Sequence, residues 1–138
     1  MSEQSNISTV QHLFAALSKG DLTHVEEEFL HDQVNVHVPG RHPLASKHVG
    51  KQNVLGFYSS VRSQTEEVTF EIEAIAAAGN EVLVELHIQA RRTRETPATL
   101  DVHGMNAITF ADGKITEIRQ YTADQHATDT YLTSSGAR

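Results

Sequence analysis

Of the side chains in this sequence, histidine is best suited to chemistry near neutral pH, because an unperturbed imidazole titrates at roughly 6.5 and can both take and return a proton. There are nine histidines, and His37 stands out by its setting. The run VNVHVPG, residues 34–40, puts Val34, Val36 and Val38 on one face of a strand and Asn35 and His37 on the other. From there His37 could act as a general base or acid toward a carbon acid beside a carbonyl. Asn35, two residues earlier, points the same way and could fix the imidazole or bind a substrate oxygen. A polar strand face is more often simply solvated, so the elements around this run decide between the two readings.

Other chemistries are disfavoured by composition and spacing. The absence of cysteine excludes disulfides, thiol nucleophiles and thiolate metal sites. His37, His42 and His48 are separated by loop residues, while His87 and His103 stand on different strands. No tight ligand pattern such as His-x-x-x-His results, and no metal site is expected. There is no glycine-rich phosphate loop, nucleophile elbow or dinucleotide fingerprint, so no cofactor is expected. Eleven basic against eighteen acidic residues give a net charge of -7, which opposes nucleic-acid binding. The one basic cluster, Arg91-Arg92-Thr93-Arg94, reads as a solvated strand end. No run approaches the roughly 20 apolar residues of a membrane span, and the first residues, MSEQSNIST, lack the features of a secretory signal. A cytoplasmic protein with no nucleic-acid or membrane partner is the expectation.

The 138 residues suit one domain, 1–138, with polar ends at 1–6 and 133–138 expected to be loose. Ser8 and Gln11 resemble a capping box, and Val10, Leu13, Phe14 and Leu17 follow at helix spacing. Asp21 can cap a second helix carrying Leu22, Val25, Phe29 and Leu30 on one side. A strand over about 33–38 and a loop over 40–50 lead to a third helix through Val54, Phe57, Tyr58 and Val61. Four strands follow, near 68–77, 82–92, 100–110 and 115–121, with Gly79-Asn80 and Asp112-Gly113 as hairpin turns. Helices first and a meander of strands afterwards make an α+β domain with the helices packed on one side of the sheet. Along the second of these strands Leu83, Glu85, His87 and Gln89 alternate with Val84, Leu86 and Ile88, and the polar set is expected to face outward.

The segments VQHLFAALSKGDLTHVEEEF, VNVHVPG, GFYSSV and ITFADGKITEI together resemble the ketosteroid isomerase and polyketide-cyclase-like proteins of the nuclear transport factor 2-like superfamily. The resemblance implies a cystatin-like cone of curved antiparallel sheet with three packed helices around a deep apolar pocket. It places the base of the isomerases at His37, their first-helix tyrosine at Leu13, their second oxyanion donor near Asn106 and a supporting tyrosine at Tyr58. Three of these four positions depart from the isomerase pattern. As catalytic residues it implies His37, Asn106 and Tyr58, and as substrate-binding residues Asn35, Leu13, Phe14, Phe57 and Ile108. In the isomerases the second oxyanion donor is a carboxylic acid held neutral so that it can donate a hydrogen bond. The resemblance puts a weaker donor, the Asn106 amide, in its place.

These readings converge on a cofactor-free isomerase, cyclase or dehydratase moving protons on a small hydrophobic carbonyl compound. The alternatives are a non-catalytic protein that binds a hydrophobic ligand in the same pocket, or a water-activating hydrolase, for which no Asp-Arg-Asp arrangement is visible. A homodimer through the exposed sheet face is implied by the resemblance alone.

Overall fold

A computed structural model describes residues 2–94 and 96–134. Helix α1, Glu3–Lys19, is opened by Ser2, whose hydroxyl accepts the Ser5 N–H at 3.0 Å in a reciprocal capping box. The cap thus lies six residues before the expected Ser8, and residues 2–6 begin the helix instead of forming a loose end. Val10, Leu13, Phe14 and Leu17 are buried along one stripe, as their spacing requires. Asp21 caps α2, Leu22–Glu28, by accepting the His24 N–H at 3.1 Å.

The chain then enters β1, Leu30–Val38, an edge hairpin partner β2, Ser46–Val49, and helix α3, Lys51–Ser63. The expected loop over 40–50 therefore contains a short strand. Its burial is slight and it carries no apolar alternation, which is why sequence pattern does not reveal it. Strands β3, Glu67–Ala78, β4, Glu81–Arg92, β5, Ala98–Ala111, and β6, Lys114–Thr122, form the meander. The tight turn at Asp112-Gly113 has φ of 53° and 77°, the left-handed pair that a two-residue hairpin of this kind demands. A fourth helix, α4, Gln125–Ser134, completes the described chain. Its only strongly buried apolar side chains are Tyr131 and Leu132, too sparse a stripe to announce a helix. The loose end expected at 133–138 is helical at its first two residues, and 135–138 lie outside the described residues.

The six strands form one curved sheet in the order β2-β1-β6-β5-β4-β3. All pairs are antiparallel except β1 with β6, which run parallel; the sheet is mixed where the resemblance implies an antiparallel one. Bulges between Ile72 and Ala74 and between Thr109 and Phe110 interrupt the register, and such insertions bend the strands that carry them. Val34, Val36, Val82, Val84, Ile108 and Ile118 are fully buried on the concave side with Val10 and Leu13 of α1 and Val54 of α3. Burial of each such side chain is worth about 1.5–3 kcal/mol. Arg92, expected in a solvated strand end, is instead buried, with its guanidinium 4.3 Å from the Tyr131 ring centre and donating to the Tyr131 carbonyl at 3.0 Å. No helix among the described residues is long and apolar enough to cross a membrane.

Gly104 of β5 lies where a Cβ would stand 2.8 Å from the Tyr121 carbonyl oxygen of β6. Gly104→Ala is expected to cost about 2 kcal/mol in urea unfolding by forcing these two backbones apart. A loss under about 0.5 kcal/mol would show that the pair separates without strain.

Candidate active site

Between the concave face of the sheet, α1, α3 and α4 lies a cavity of about 130 Å³. Its wall is mostly apolar: Phe14 from α1, Phe57 and Val61 from α3, Phe70 from β3, Leu86 and Ile88 from β4. The size is close to the ~150 Å³ of an apolar cavity that takes one benzene ring. Polar side chains interrupt this wall, among them His42 from the loop after β1, Tyr58 of α3, Asn106 of β5, Gln120 of β6 and Gln125 of α4. Asn106 and Gln120 face each other across the β5–β6 ladder. An apolar cavity with a few converging polar groups is the usual form of a small-molecule site.

Tyr58 is 7% exposed, and its hydroxyl makes no hydrogen bond among the described residues. The Gln120 amide is its polar neighbour, outside normal bonding geometry. Burial pushes the phenol well above its ordinary ionisation range and Gln120 offsets only part of this, so the hydroxyl stays protonated and free to donate. A buried polar group left without a partner costs about 1–3 kcal/mol, which an oxygen-bearing ligand would recover.

His42 is 4% exposed. Its Nδ1 accepts the Leu44 N–H at 3.1 Å, so the neutral ring carries its proton on Nε2. Burial lowers its pKa from the ordinary 6.5, against the opposing pull of the Asp129 carboxylate and the Pro39 carbonyl. The imidazole is consequently neutral at pH 7. Asp129 is itself fixed on α4: its Oδ1 accepts from the Arg41 N–H at 3.1 Å and from the Gln125 amide at 2.9 Å. Helix α4 thereby ties down the loop that presents His42. A second tie joins the Tyr131 hydroxyl to Thr65 Oγ1 at 3.0 Å.

The residues expected to form the site divide between the two faces of the sheet. Asn106, Tyr58, Phe14 and Phe57 line the cavity. Leu13 and Ile108 are fully buried in the core behind it and do not line it. His37 and Asn35 lie on the opposite, outer face, in register with Arg119 and Glu117 of β6. There His37 Nε2 lies 3.0 Å from Glu117 Oε2, Arg119 donates to Glu117 Oε1 at 2.7 Å, and Arg119 donates to Glu81 at 3.1 Å. The Asn35 amide donates to the Thr116 carbonyl at 3.4 Å, and its Oδ1 has no partner among the described residues. The placement of His37 at the pocket is thus corrected. With a side-chain period of two, Val34, Val36 and Val38 take the inner face, and a one-residue difference reverses which side each residue meets. The histidine that reaches the cavity, His42, stands in a bend outside any periodic element; only the chain's return under α4 reveals it.

Comparison with known proteins agrees with this architecture. The model of the SnoaL-like domain family matches residues 10–118. An uncharacterised protein of Mycobacterium tuberculosis is 30% identical over 134 residues, covering 95% of this chain and 98% of that protein. A structure encoded on a soil-derived mobile gene cassette matches with a TM-score of 0.85 and 22% identity over 94% of this chain and 98% of its own. An NTF2-like protein of Burkholderia xenovorans matches at 0.80 and 28% identity over 96% and 98%. A candidate SnoaL-like polyketide cyclase of Jannaschia matches at 0.78 and 21% identity over 95% and 93%. The family model spans most of the chain and the relative matches nearly all of it, so the protein belongs to the SnoaL-like domain family of the NTF2-like superfamily.

Proposed function

We propose that this protein is a cofactor-free enzyme that moves a proton on a small, hydrophobic, carbonyl-containing substrate of about one ring. The unpartnered Tyr58 hydroxyl in an apolar cavity carries the reading. Together with the Asn106 and Gln120 amides and the Nε2–H of His42, it forms a set of donors suited to a carbonyl or enolate oxygen. His42 is the cavity imidazole, and it would take up a substrate proton on Nδ1 by releasing the Leu44 N–H, in the role the sequence suggests for His37. Isomerisation, cyclisation and dehydration all use such a step. Candidate polyketide cyclases among the structural neighbours accord with this class.

A second reading is ligand binding without turnover. It is favoured by one observation: no carboxylate lines the cavity among the described residues, so no strong base stands beside the donors. A homodimer through the outer sheet face accords with Leu83, Met105 and Tyr121 being exposed, since apolar groups left open to water commonly mark an interface.

Exchange of the α-protons of a one-ring aryl ketone in D₂O, followed by proton NMR, tests the proton-transfer step directly. The protein should accelerate exchange, His42→Ala should reduce it about 100-fold, and His37→Ala should leave it unchanged. Saturable binding of the ketone without exchange would select the second reading. Tyr58→Phe should weaken ketone binding roughly tenfold, the loss of one buried hydrogen bond of about 1.4 kcal/mol; unchanged affinity would remove Tyr58 from the site.

The lowered pKa of His42 also gives a stability signature. Below the ordinary value of 6.5 the unfolded chain takes up this proton before the folded one does, so stability falls as pH drops through that window. Thermal unfolding at pH 7.5 and 5.5 should show a smaller loss of Tm in His42→Gln than in the parent protein. An equal loss in both would place the His42 ring in contact with water in the folded state.

A further inference from the structure

On the outer side of the sheet, His87 of β4 and His103 of β5 are direct register partners. Their rings stack with centres 4.5 Å apart and planes 7° from parallel. The inner neighbours of this pair, Leu86, Ile88 and Val102, line the cavity, so the two imidazoles are separated from it by the thickness of the sheet. Three carboxylates surround them. Asp101 Oδ1 lies 2.6 Å from His87 Nε2, Glu73 Oε1 lies 2.7 Å from His103 Nδ1, and Glu71 Oε1 lies 3.8 Å from His87 Nδ1.

This arrangement resolves the roles of the ring nitrogens. Asp101 accepts a hydrogen bond from His87 Nε2–H, which leaves the neutral ring a lone pair on Nδ1 with no hydrogen-bond partner among the described residues. A carboxylate holding the far nitrogen of an imidazole is the second-sphere arrangement that metal-binding histidines use, because it fixes the tautomer and raises the basicity of the ligating nitrogen. Glu73 sits at the bulge between Ile72 and Ala74. The bulge adds a residue to β3 there and re-aims its side chain, bringing the carboxylate beside the paired rings. One ligand atom from each of Glu73, His87 and His103 lies within 4.8 Å of the others.

We propose that Glu73, His87 and His103 form a binding site for a divalent transition-metal ion on the outer sheet face, with Asp101 as the positioning residue for His87. Two imidazole nitrogens and one carboxylate oxygen suit Zn²⁺ and its neighbours, not Mg²⁺ or Ca²⁺, which prefer all-oxygen shells. In a four-coordinate site with bonds of about 2.0–2.1 Å the ligand atoms stand roughly 3.3 Å apart. Closing from the present spacing requires side-chain rotation of about 1.5 Å, available to Glu73 and His103 because both are exposed. With three carboxylates and two imidazoles, the cluster is net negative even when both rings are protonated, so a bound cation reduces its self-repulsion. The three protein ligands leave the solvent side open for water as a fourth.

Isothermal titration of chelator-treated, full-length protein with Zn²⁺ alone at pH 7.5 tests this site, with Mg²⁺ as the contrast. One equivalent of Zn²⁺ should bind with micromolar or tighter affinity, and Mg²⁺ at the same concentrations should not. His103→Ala and His87→Ala should each weaken Zn²⁺ binding at least tenfold, Asp101→Asn should weaken it about 10- to 100-fold, and exposed His12→Ala should leave it unchanged. Far-ultraviolet circular dichroism of each variant separates lost binding from lost folding, and His103→Gln serves where His103→Ala unfolds. Absence of saturable binding, or affinity unchanged in folded His87 and His103 variants, would overturn the assignment.

Discussion

The pairing of β4 with β5, unbroken from Glu81 opposite Thr109 to Arg92 opposite Ala98, is the constraint on which the remainder of this molecule rests. Because strand side chains alternate with a period of two, this ladder commits every residue along it to one of two environments. Val82, Val84 and Leu86 go to the core and the cavity wall, while Leu83, Glu85 and His87 go outward. The bulges in β3 and β6 then curve the sheet, and curvature leaves space between it and α1 and α3 that side chains do not fill. Cavity and outer cluster are therefore two consequences of the same register.

Within the cavity, physical tension is concentrated at its polar groups. An apolar wall favours a dry interior, yet Tyr58 holds a hydroxyl there without a hydrogen-bond partner among the described residues. Neither packing nor the fold's own hydrogen bonds account for that group, whereas a ligand oxygen would. Helix α4 bears on the same region. Asp129 and Gln125 hold the turn after β1, Tyr131 closes over the far end, and buried Arg92 supports Tyr131 from beneath. The loop carrying His42 is consequently held by elements distant in sequence.

The outer face follows different rules. The chain of His37, Glu117, Arg119 and Glu81 is partly open to solvent, with side chains of Glu117, Arg119 and Glu81 each about one third exposed, where ion pairs contribute about 0–1 kcal/mol. Such a network accounts for His37 without any role in a pocket. The stacked His87 and His103 pair is less easily explained by stability, since two imidazoles in contact repel once both are protonated. Its flanking carboxylates and the bulge at Glu73 are consistent with a use for that geometry.

The sequence by itself determined the class of fold. Helix stripes at Val10 to Leu17 and Val54 to Val61, alternation along the long strands, and turn chemistry at Gly79-Asn80 and Asp112-Gly113 all rest on interactions between near neighbours, which a local pattern records. It also held the answer for VNVHV, since burying three valines is favoured over burying Asn35 and His37; resemblance to the isomerases pointed the other way. Tertiary structure decided the rest: that β1 runs parallel to β6, that a sparse helix α4 covers the cavity, that His42 reaches its wall, and that His87 and His103, sixteen positions apart by their numbering, become stacked partners. Those outcomes depend on strand register and on contacts between segments remote in the chain, and periodicity specifies which residues share a face without specifying what that face will meet.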